Sequence, residues 1–172
     1  MMSVLMPMLP DVTSTVMAVS AQIARALQAD LIALQIRKQP CPLPELARLY
    51  TLTAPIRSQG VTTRLRVRQG NAAERICREA AERRARWIVM DAGGDLKSPS
   101  PIAQEVLANA AVPVVLAHTS PTLRPGADLL FSNEQDVVKL LGRIRAAGTR
   151  WQRGAPNRVH ADLSEQLLVP TG

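Results

Sequence analysis

A cluster of small and polar residues follows the apolar run at residues 87–90. Its members are Asp91, Ala92, Gly93, Gly94, Ser98 and Ser100, and a helical pattern begins directly after the last of them. A strand, a glycine turn and a helix N-terminus can together bind phosphate, because glycine lets backbone N–H groups approach an anion. The first hypothesis for this cluster is therefore a phosphate site.

Asp91 is the residue that opposes this hypothesis. Two like charges about 4 Å apart repel by roughly 1–4 kcal/mol in wet surroundings, so its carboxylate disfavours a phosphate. A Mg²⁺ ion could reverse this effect, since carboxylates bind that ion beside phosphates. Two alternatives remain open. A small anion could bind at the N-terminus of the following helix, or Gly93 and Gly94 only turn the chain.

The sequence contains no recognisable catalytic set. It has no G-x-S-x-G element and no Walker-type lysine, and His118 and His160 are not spaced as a metal-binding pair. Cys41 and Cys77 lie far apart without a CxxC element, which indicates neither a disulfide framework nor a zinc site. We therefore expect a non-catalytic protein without a bound metal, and weak ATPase activity is the alternative.

Five strand-like segments alternate with helical patterns in the first two thirds of the chain. The strands are expected at residues 3–8, 29–36, 61–68, 86–91 and 112–118, and the helices at about 13–28, 44–53, 71–85 and 100–110. Parallel strands need crossovers of helix length, so this alternation predicts an α/β fold with a mainly parallel sheet. Ligands bind such sheets at the carboxyl ends of the strands, here residues 8–11 and 91–94.

The third predicted strand has one polar face. Arg64, Arg66 and Arg68 alternate with Leu65 and Val67, which places this strand at or near an edge of the sheet. The row of arginines has two interpretations. It is either a solvated edge, whose like charges oppose pairing with another sheet, or a contact for an anion or a partner.

Composition limits the classes of partner. The chain has 172 residues, of which 47% are hydrophobic and 2% aromatic, and its formal net charge is +7. Nucleic-acid binding is not favoured, because aromatic residues for base stacking are scarce and the charges are spread along the chain. The apolar start is short and lacks a basic flank, and no apolar run is long enough to span a membrane. We therefore expect a cytoplasmic protein.

The composition changes after Thr119. Residues 120–131 carry turn signals and predict a loop, and residues 133–147 predict a helix with Ser132 as its N-cap. The rest of the chain, which includes Leu167, Leu168 and Val169, predicts a flexible tail or an arm that orders against a partner. These patterns divide the chain into an α/β domain, residues 1–119, and a C-terminal extension, residues 120–172.

The order of these segments resembles the universal stress protein family. The similarity rests mainly on VRQGNAAERICREAAERRARWIVMDAGG at residues 67–94 and on VLANAAVPVVLAH at residues 106–118. The resemblance implies a Rossmann-like open sheet of five mainly parallel strands in the order 3-2-1-4-5, with helices on both faces. It also implies homodimers that pair through the last strand, here from Val112 to Ala117, and ATP binding in many members.

The ATP-binding members combine three features, and this chain departs from each. Where they end the first strand with V-P-V-D, this chain has M-P-M-L, so Leu9 replaces the acidic residue and Asp11 lies two positions later. Their G-x-x-G turn after the fourth strand reads D-A-G-G at residues 91–94. They continue with G-S or G-T about nine residues further on, at a helix start that binds phosphate. Here only residues 95–99 separate the turn from Ser100.

These departures predict a degenerate nucleotide site. Its remaining residues are Leu9, Asp11, Asp91, Ala92, Gly93, Gly94, Ser98 and Ser100. We expect a non-catalytic, dimeric regulatory or adaptor protein of the stress response, without a bound cofactor, whose C-terminal extension binds an unidentified protein partner. The alternative is a stress sensor that binds ATP or another adenine nucleotide in a variant pocket.

Overall fold

The structure, a computed structural model, describes residues 1–9, 12–119, 126–146, 151–153 and 157–162. The strands are β1 (Ser3–Met8), β2 (Asp30–Arg37), β3 (Thr63–Gln69), β4 (Trp87–Asp91), β5 (Val114–Thr119), β6 (Gly126–Phe131), β7 (Trp151–Arg153) and β8 (Arg158–Asp162). The helices are α1 (Ser14–Leu27), α2 (Leu43–Leu52), α3 (Ala54–Ser58), α4 (Ala72–Glu82), α5 (Pro101–Asn109) and α6 (Glu134–Ala146). None of these helices is long and apolar enough to cross a bilayer.

The strands form one sheet in the order β3-β2-β1-β4-β5-β6-β8-β7. The first five pair in parallel, which confirms the predicted fold class and the order 3-2-1-4-5. The register places Met8 opposite Gln35 and Asp91 opposite Ala117, so the carboxyl ends of β2, β1, β4 and β5 share one edge. The chain order reverses between β1 and β4, and open α/β sheets bind ligands at such a point.

Helices cover both faces of the sheet, and each covering layer has its own apolar core. On one face α1, α3 and α6 pack against side chains such as Val4, Met6 and Val89. On the other face α4 and α5 pack against side chains such as Leu5, Ile88 and Met90. Adjacent residues of a strand point to opposite faces, so the continuous apolar runs of β1 and β4 serve both cores.

Side chains cap the helices that begin near the carboxyl edge. The Thr13 hydroxyl accepts a hydrogen bond from the Val16 N–H at the start of α1, and Asn71 accepts one from the Glu74 N–H in α4. The N-caps of α1, α4 and α5 are Thr13, Asn71 and Ser100. In α6 the cap is Asn133, whose side chain accepts from the Asp136 N–H, and not the predicted Ser132. The Ser132 hydroxyl instead accepts from the Val114 N–H.

The C-terminal extension contains more strand than the sequence predicted. The predicted helix is confirmed as α6, but residues 126–131, expected as loop, form β6. Strands β7 and β8 lie where only a tail or arm was expected. The division at residue 119 stays a prediction, and Leu167, Leu168 and Val169 lie outside the described residues.

Strand β6 occupies one edge of the strand that the predicted dimer contact would use. It pairs antiparallel with β5 over its length, for example Leu130 with Leu116 and Asp128 with His118. The outer edge of β5 is therefore bound by the same chain, and the backbone groups that a second copy would need there are already hydrogen-bonded. Strand pairing with a second copy along residues 115–117 would require β6 to leave this edge, and a dimer through the segment from Val112 to Ala117 stays a prediction.

The row of arginines lies on β3, which is an outer strand of the described sheet, as predicted. Arg64 pairs with Asp30 at 3.0 Å. Arg68 binds both carboxylate oxygens of Glu79, at 2.9 and 3.3 Å, and Arg83 binds the same group at 3.2 Å. Two of the three arginines in the row thus pair with acids of their own chain, which neither sequence interpretation anticipated.

Candidate functional site

The candidate site lies at the carboxyl edge of the sheet, where β1 and β4 are neighbours. Leu9 follows β1, and Asp91 is the last residue of β4. The Thr13 hydroxyl, at the start of α1, donates to Asp91 Oδ2 across 3.4 Å. This contact joins the two strand ends, because Thr13 belongs to the segment that leaves β1. The loop of residues 92–100 then connects β4 to α5.

The backbone of this loop binds carboxylates of its own chain. Asp91 Oδ1 accepts a hydrogen bond from the Gly93 N–H at 2.6 Å. Asp95 Oδ1 accepts two, from the Lys97 N–H at 2.8 Å and the Ser98 N–H at 2.7 Å. Two or more backbone N–H groups that converge on one anionic oxygen are the arrangement by which many proteins hold phosphate. Here the side chains of the loop supply the anion.

The hydrogen bonds to Asp95 change its acidity. The N–H groups of Ser98 and Lys97 stabilise the charged carboxylate and lower the pKa of Asp95 below its ordinary value of 3.8, with smaller contributions from the charges of Lys97 and His118. Asp95 is therefore ionised at neutral pH and remains a fixed negative charge inside the loop.

An apolar anchor and a helix cap fix the shape of the loop. The Leu96 side chain is buried against the core that α4 and α5 cover. The Ser100 N–H donates to the Ala92 carbonyl at 2.7 Å, and the Ser100 hydroxyl accepts from the Ala103 N–H at 3.2 Å. Gly93 has a φ of +67°, and a Cβ there would lie 2.6 Å from Ser100 Cβ, so a larger residue does not fit. The turn and the helix start are therefore packed together.

The structure brings most of the predicted site residues together. Asp91, Ala92, Gly93, Gly94, Ser98 and Ser100 form one loop and helix start. Leu9 is partly buried and packs against the apolar core that α4 and α5 cover. Asp11 lies outside the described residues. The sequence analysis did not identify Asp95. An aspartate whose carboxylate accepts hydrogen bonds from the N–H groups two and three residues later is nevertheless a common turn pattern.

A cleft at the same edge of the sheet was not predicted. It measures about 320 Å³ and lies where the carboxyl ends of β1 and β2 meet α2. Met8, Leu9, Val12, Leu49 and Leu52 supply its apolar lining, and Gln35, Arg37, Glu45 and Arg48 supply its polar lining. Glu45 contacts both cations, Arg37 at 3.4 Å and Arg48 at 3.8 Å. These residues come from three separate segments, so no local sequence pattern identifies the cleft.

Cys77 lies on α4, outside both the loop and the cleft. Burial, and to a smaller extent the charge of Glu105, raises the pKa of the Cys77 thiol, which disfavours the nucleophilic thiolate. Within the described ranges, no group of three or more His, Cys, Asp or Glu side chains is arranged to hold a metal ion. The groups present can donate hydrogen bonds, carry charge and cover an apolar ring.

The strand order and the crossover helices define an α/β protein with a Rossmann-like sheet. A sequence model of the universal stress protein family matches residues 4–118, which span β1 to β5. The chain belongs to the universal stress protein family. No curated protein sequence matched the chain.

Solved structures agree with this fold. One is a universal stress protein from Archaeoglobus fulgidus in complex with dAMP, at 16% identity and a TM-score of 0.56, covering 66% of this chain and 95% of that chain. A universal stress protein in complex with cAMP has 15% identity and a TM-score of 0.56, covering 69% and 97%. A functionally unknown protein from Pseudomonas aeruginosa has 22% identity and a TM-score of 0.56, covering 72% and 44%. At such identities the likeness shows the fold.

Proposed function

We propose that this chain is a non-catalytic regulatory or adaptor member of the universal stress protein family whose phosphate loop has become self-bound. One observation carries the proposal. The carboxylates of Asp91 and Asp95 accept hydrogen bonds from the N–H groups of Gly93, Lys97 and Ser98. These are the groups that a phosphate would need, so the loop does not fit a triphosphate as it stands.

Charge strengthens this argument. A phosphate oxygen brought to the loop would meet two carboxylates that already hold the best donors. At about 4 Å the partly buried Asp91 would repel it by roughly 1–4 kcal/mol, and the charge of Asp95 acts in the same direction. The anchor at Leu96 opposes a rearrangement of the loop, because its side chain would have to leave the apolar core. A regulatory or adaptor role, exerted through contacts with other proteins, does not need a bound nucleotide. The C-terminal extension adds surface for such contacts.

The decisive experiment is calorimetric titration of the protein with ATP in the presence of Mg²⁺. For the wild type we expect no saturable binding at micromolar nucleotide. The double variant Asp91→Asn/Asp95→Asn keeps the shape of both side chains and removes both charges. We expect it to bind ATP at least about tenfold more tightly, since relief of about 1.4 kcal/mol corresponds to a factor of ten.

The matched control is Glu74→Gln/Glu82→Gln, which removes two charges from exposed positions on α4. It should leave nucleotide binding as in the wild type. Nucleotide released from the purified, denatured protein in a one-to-one ratio, or a micromolar Kd for the wild type, would contradict the proposal.

The second candidate function is an adenine-nucleotide sensor that uses the cleft between β1, β2 and α2. The cleft of about 320 Å³ favours it, because apolar side chains could cover a base while Arg37 and Arg48 attract a phosphate. The complexes of related universal stress proteins with dAMP and cAMP also favour a small nucleotide without a triphosphate. This candidate requires no contact with the self-bound loop.

Titration with AMP separates the two candidates. A sensor of this kind would bind AMP saturably, and Arg48→Gln would weaken the binding, whereas Asp91→Asn would change it little. Arg78→Gln, an exposed arginine on α4 that pairs only with Glu82 at 3.8 Å, is the matched control among the described residues. Absence of AMP binding by the wild type rules the sensor out and leaves the regulatory role.

A further inference from the structure

A second and larger cleft lies at the amino edge of the sheet, at the opposite end of the strands from the candidate nucleotide site. It measures about 830 Å³. Its floor is apolar and comes from residues at the starts of strands and the end of α1, namely Met2, Leu27, Trp87, Val112 and Pro113. Helix α6 forms one wall, and the turn between α4 and β4 forms another. Small-molecule sites have volumes of about 300–1,000 Å³ and mainly apolar linings.

The wall from α6 presents charge at helical spacing. Asp136, Lys139, Leu140 and Arg143 line the cleft, and residues three, four and seven positions apart share one face of a helix. Leu140 is buried in the apolar core, which fixes the rotation of α6 about its own axis and keeps this face turned toward the cleft. Lys139 and Arg143 are exposed. Helix α6 therefore points two cations into the cleft from a position that core packing determines.

The opposite wall contributes two further cations. Arg84 and Arg86 flank the buried Ala85 and line the cleft from the turn that precedes β4. Their backbones are held in place, since the Arg84 N–H donates to the Ala81 carbonyl and the Arg86 N–H to the Ser3 carbonyl. No ion pair joins the side chains of Arg84, Arg86, Lys139 or Arg143 to any residue that the structure describes.

The backbone of Arg84 is in an unfavourable conformation for arginine. Its φ is +51°, and it directly follows Arg83, the C-cap of α4. Glycine is the usual residue at this position, because a Cβ is strained at positive φ. An arginine here costs stability that a glycine would not cost. Gln28, the C-cap of α1, has the same conformation with a φ of +52°, so this conformation is a way of ending helices in this fold and places the Arg84 side chain at the cleft.

The balance of charge specifies the ligand. The lining contains four basic side chains and one acid, Asp136. Asp136 is buried and accepts a hydrogen bond from Asn133 Nδ2, and its single negative charge offsets only one of the four cations. The remaining cations surround an apolar floor. A ligand that matches both features has an anionic head and an apolar body.

We infer that this cleft binds a small amphipathic anion, that is, a carboxylate or phosphate monoester with an alkyl or aryl body. Lys139, Arg143, Arg84 and Arg86 bind the head, and Trp87, Leu27 and Pro113 contact the body. The site is independent of the proposed function, because it lies at the other edge of the sheet. One of its walls, α6, also lies outside the region that matches the family, residues 4–118.

Trp87 provides the readout. The chain has two tryptophans, Trp87 in the cleft and Trp151, so the variant Trp151→Phe isolates the signal of Trp87. We would titrate this variant with decanoate and with decyl phosphate below their micelle concentrations. Decan-1-ol and decyltrimethylammonium serve as neutral and cationic controls of the same length. The expected result is a saturable change of fluorescence with the anions, and a much weaker one with the alcohol and the cation.

Substitutions locate the binding. Lys139→Gln/Arg143→Gln should raise the Kd for decanoate about tenfold, since each exposed charge contributes a few-fold to affinity. Lys38→Gln, at the opposite edge of the sheet, is the matched control and should leave the Kd unchanged. Ala111→Trp places a ring at an exposed position of the cleft lining without altering charge, and should abolish binding.

Arg84→Gly distinguishes a ligand site from a structural role. Because glycine suits the positive φ, this variant should fold with an unchanged or higher Tm and still bind the anion several-fold more weakly. A variant with lower Tm and unchanged Kd would show that Arg84 serves the fold alone and would overturn its assignment. Equal binding of decanoate and decan-1-ol, no saturable binding of either anion, or a Kd unaffected by Lys139→Gln/Arg143→Gln would overturn the site itself.

Discussion

At the scale of single residues, two aspartates of this protein accept the backbone hydrogen bonds of the loop that follows β4. Asp95 collects two backbone N–H groups, and Asp91 collects a third together with the Thr13 hydroxyl. A carboxylate that belongs to the chain has no entropy of binding to lose, so it competes effectively with a ligand in solution. The same contacts stabilise the turn that leads into α5.

The hydrogen bonds from Lys97 and Ser98 to Asp95 can be tested through the pKa of its carboxyl group. Its pKa is lowered in the folded protein relative to 3.8, so its contribution to stability is fully present above that value and is lost as the pH falls through the folded pKa. In an NMR titration we expect a carboxyl midpoint below 3.8, and the amide signals of Lys97 and Ser98 should follow it. Asp95→Asn should remove this transition from both amides. A midpoint at or above 3.8 would show that the two hydrogen bonds do not form in solution.

At the scale of elements, β6 determines what the rest of the sheet can do. It fills the edge of β5 that the family resemblance assigned to a second copy, and β8 and β7 then extend the sheet on its far side. Edge strands attract other strands, because their backbone groups are unpaired. In the described part of the sheet the outer strands are β3, which carries arginines, and β7, which has three residues.

A cysteine pair tests whether β6 and β5 belong to one molecule. His118 and Asp128 lie directly opposite each other in the antiparallel register, within the separation that a disulfide spans. In a Cys41→Ser/Cys77→Ser background, we expect His118→Cys/Asp128→Cys to oxidise to an intramolecular disulfide. The product should migrate as a monomer on a non-reducing gel. A dimer band that disappears on reduction would indicate an exchange of β6 between copies.

The sequence predicted the first five strands because their apolar runs are long and separated by capped helices. It did not predict β6 and β8, although apolar residues stand at every second position in both strands. Ala127, Leu129 and Phe131 are buried in β6, as are Val159 and Ala161 in β8. Both strands are short and lie next to proline and glycine residues. These residues favour a turn, and the alternation of apolar residues was too brief to favour a strand over it.

The candidate site was predictable only in part, for a similar reason. The glycine turn and the Ser100 cap are local patterns that can be read from neighbouring residues. The cleft that includes Gln35, Arg37 and Arg48 exists only because the parallel register brings the end of β2 beside β1 under α2. Such a site depends on contacts between distant segments, which a single sequence does not display.

At the scale of the whole molecule, the extension and the family domain share a core. Phe131 of β6 packs edge-on against Trp87 of β4, with ring centroids 6.0 Å apart and planes at 87°. Leu129, Val137 and Leu140 belong to the same apolar cluster as Val4 and Met6 of the central strand β1. Cooperative unfolding follows from a continuous core, so the two parts should lose their structure together.

The substitution Phe131→Ala tests this coupling. Phe131 is 1% exposed, and removal of a buried phenylalanine costs about 3–5 kcal/mol. In a Trp151→Phe background we expect a single unfolding transition, shifted by that amount, with coincident circular dichroism and Trp87 fluorescence. Hydrogen exchange should accelerate in β1 as well as in β6. Two separate transitions, of which only one shifts, would show that the extension folds as a unit of its own.

Because β6 is part of the chain, the sheet is completed without a bimolecular step. A strand supplied by a second copy is lost on dilution, and stability that depends on it rises and falls with protein concentration. A strand linked through residues 120–125 has a fixed effective concentration set by the length of that connection. The fold around β5 should therefore be equally stable at few and at many copies per cell, so that the abundance of the protein can vary without altering its structure.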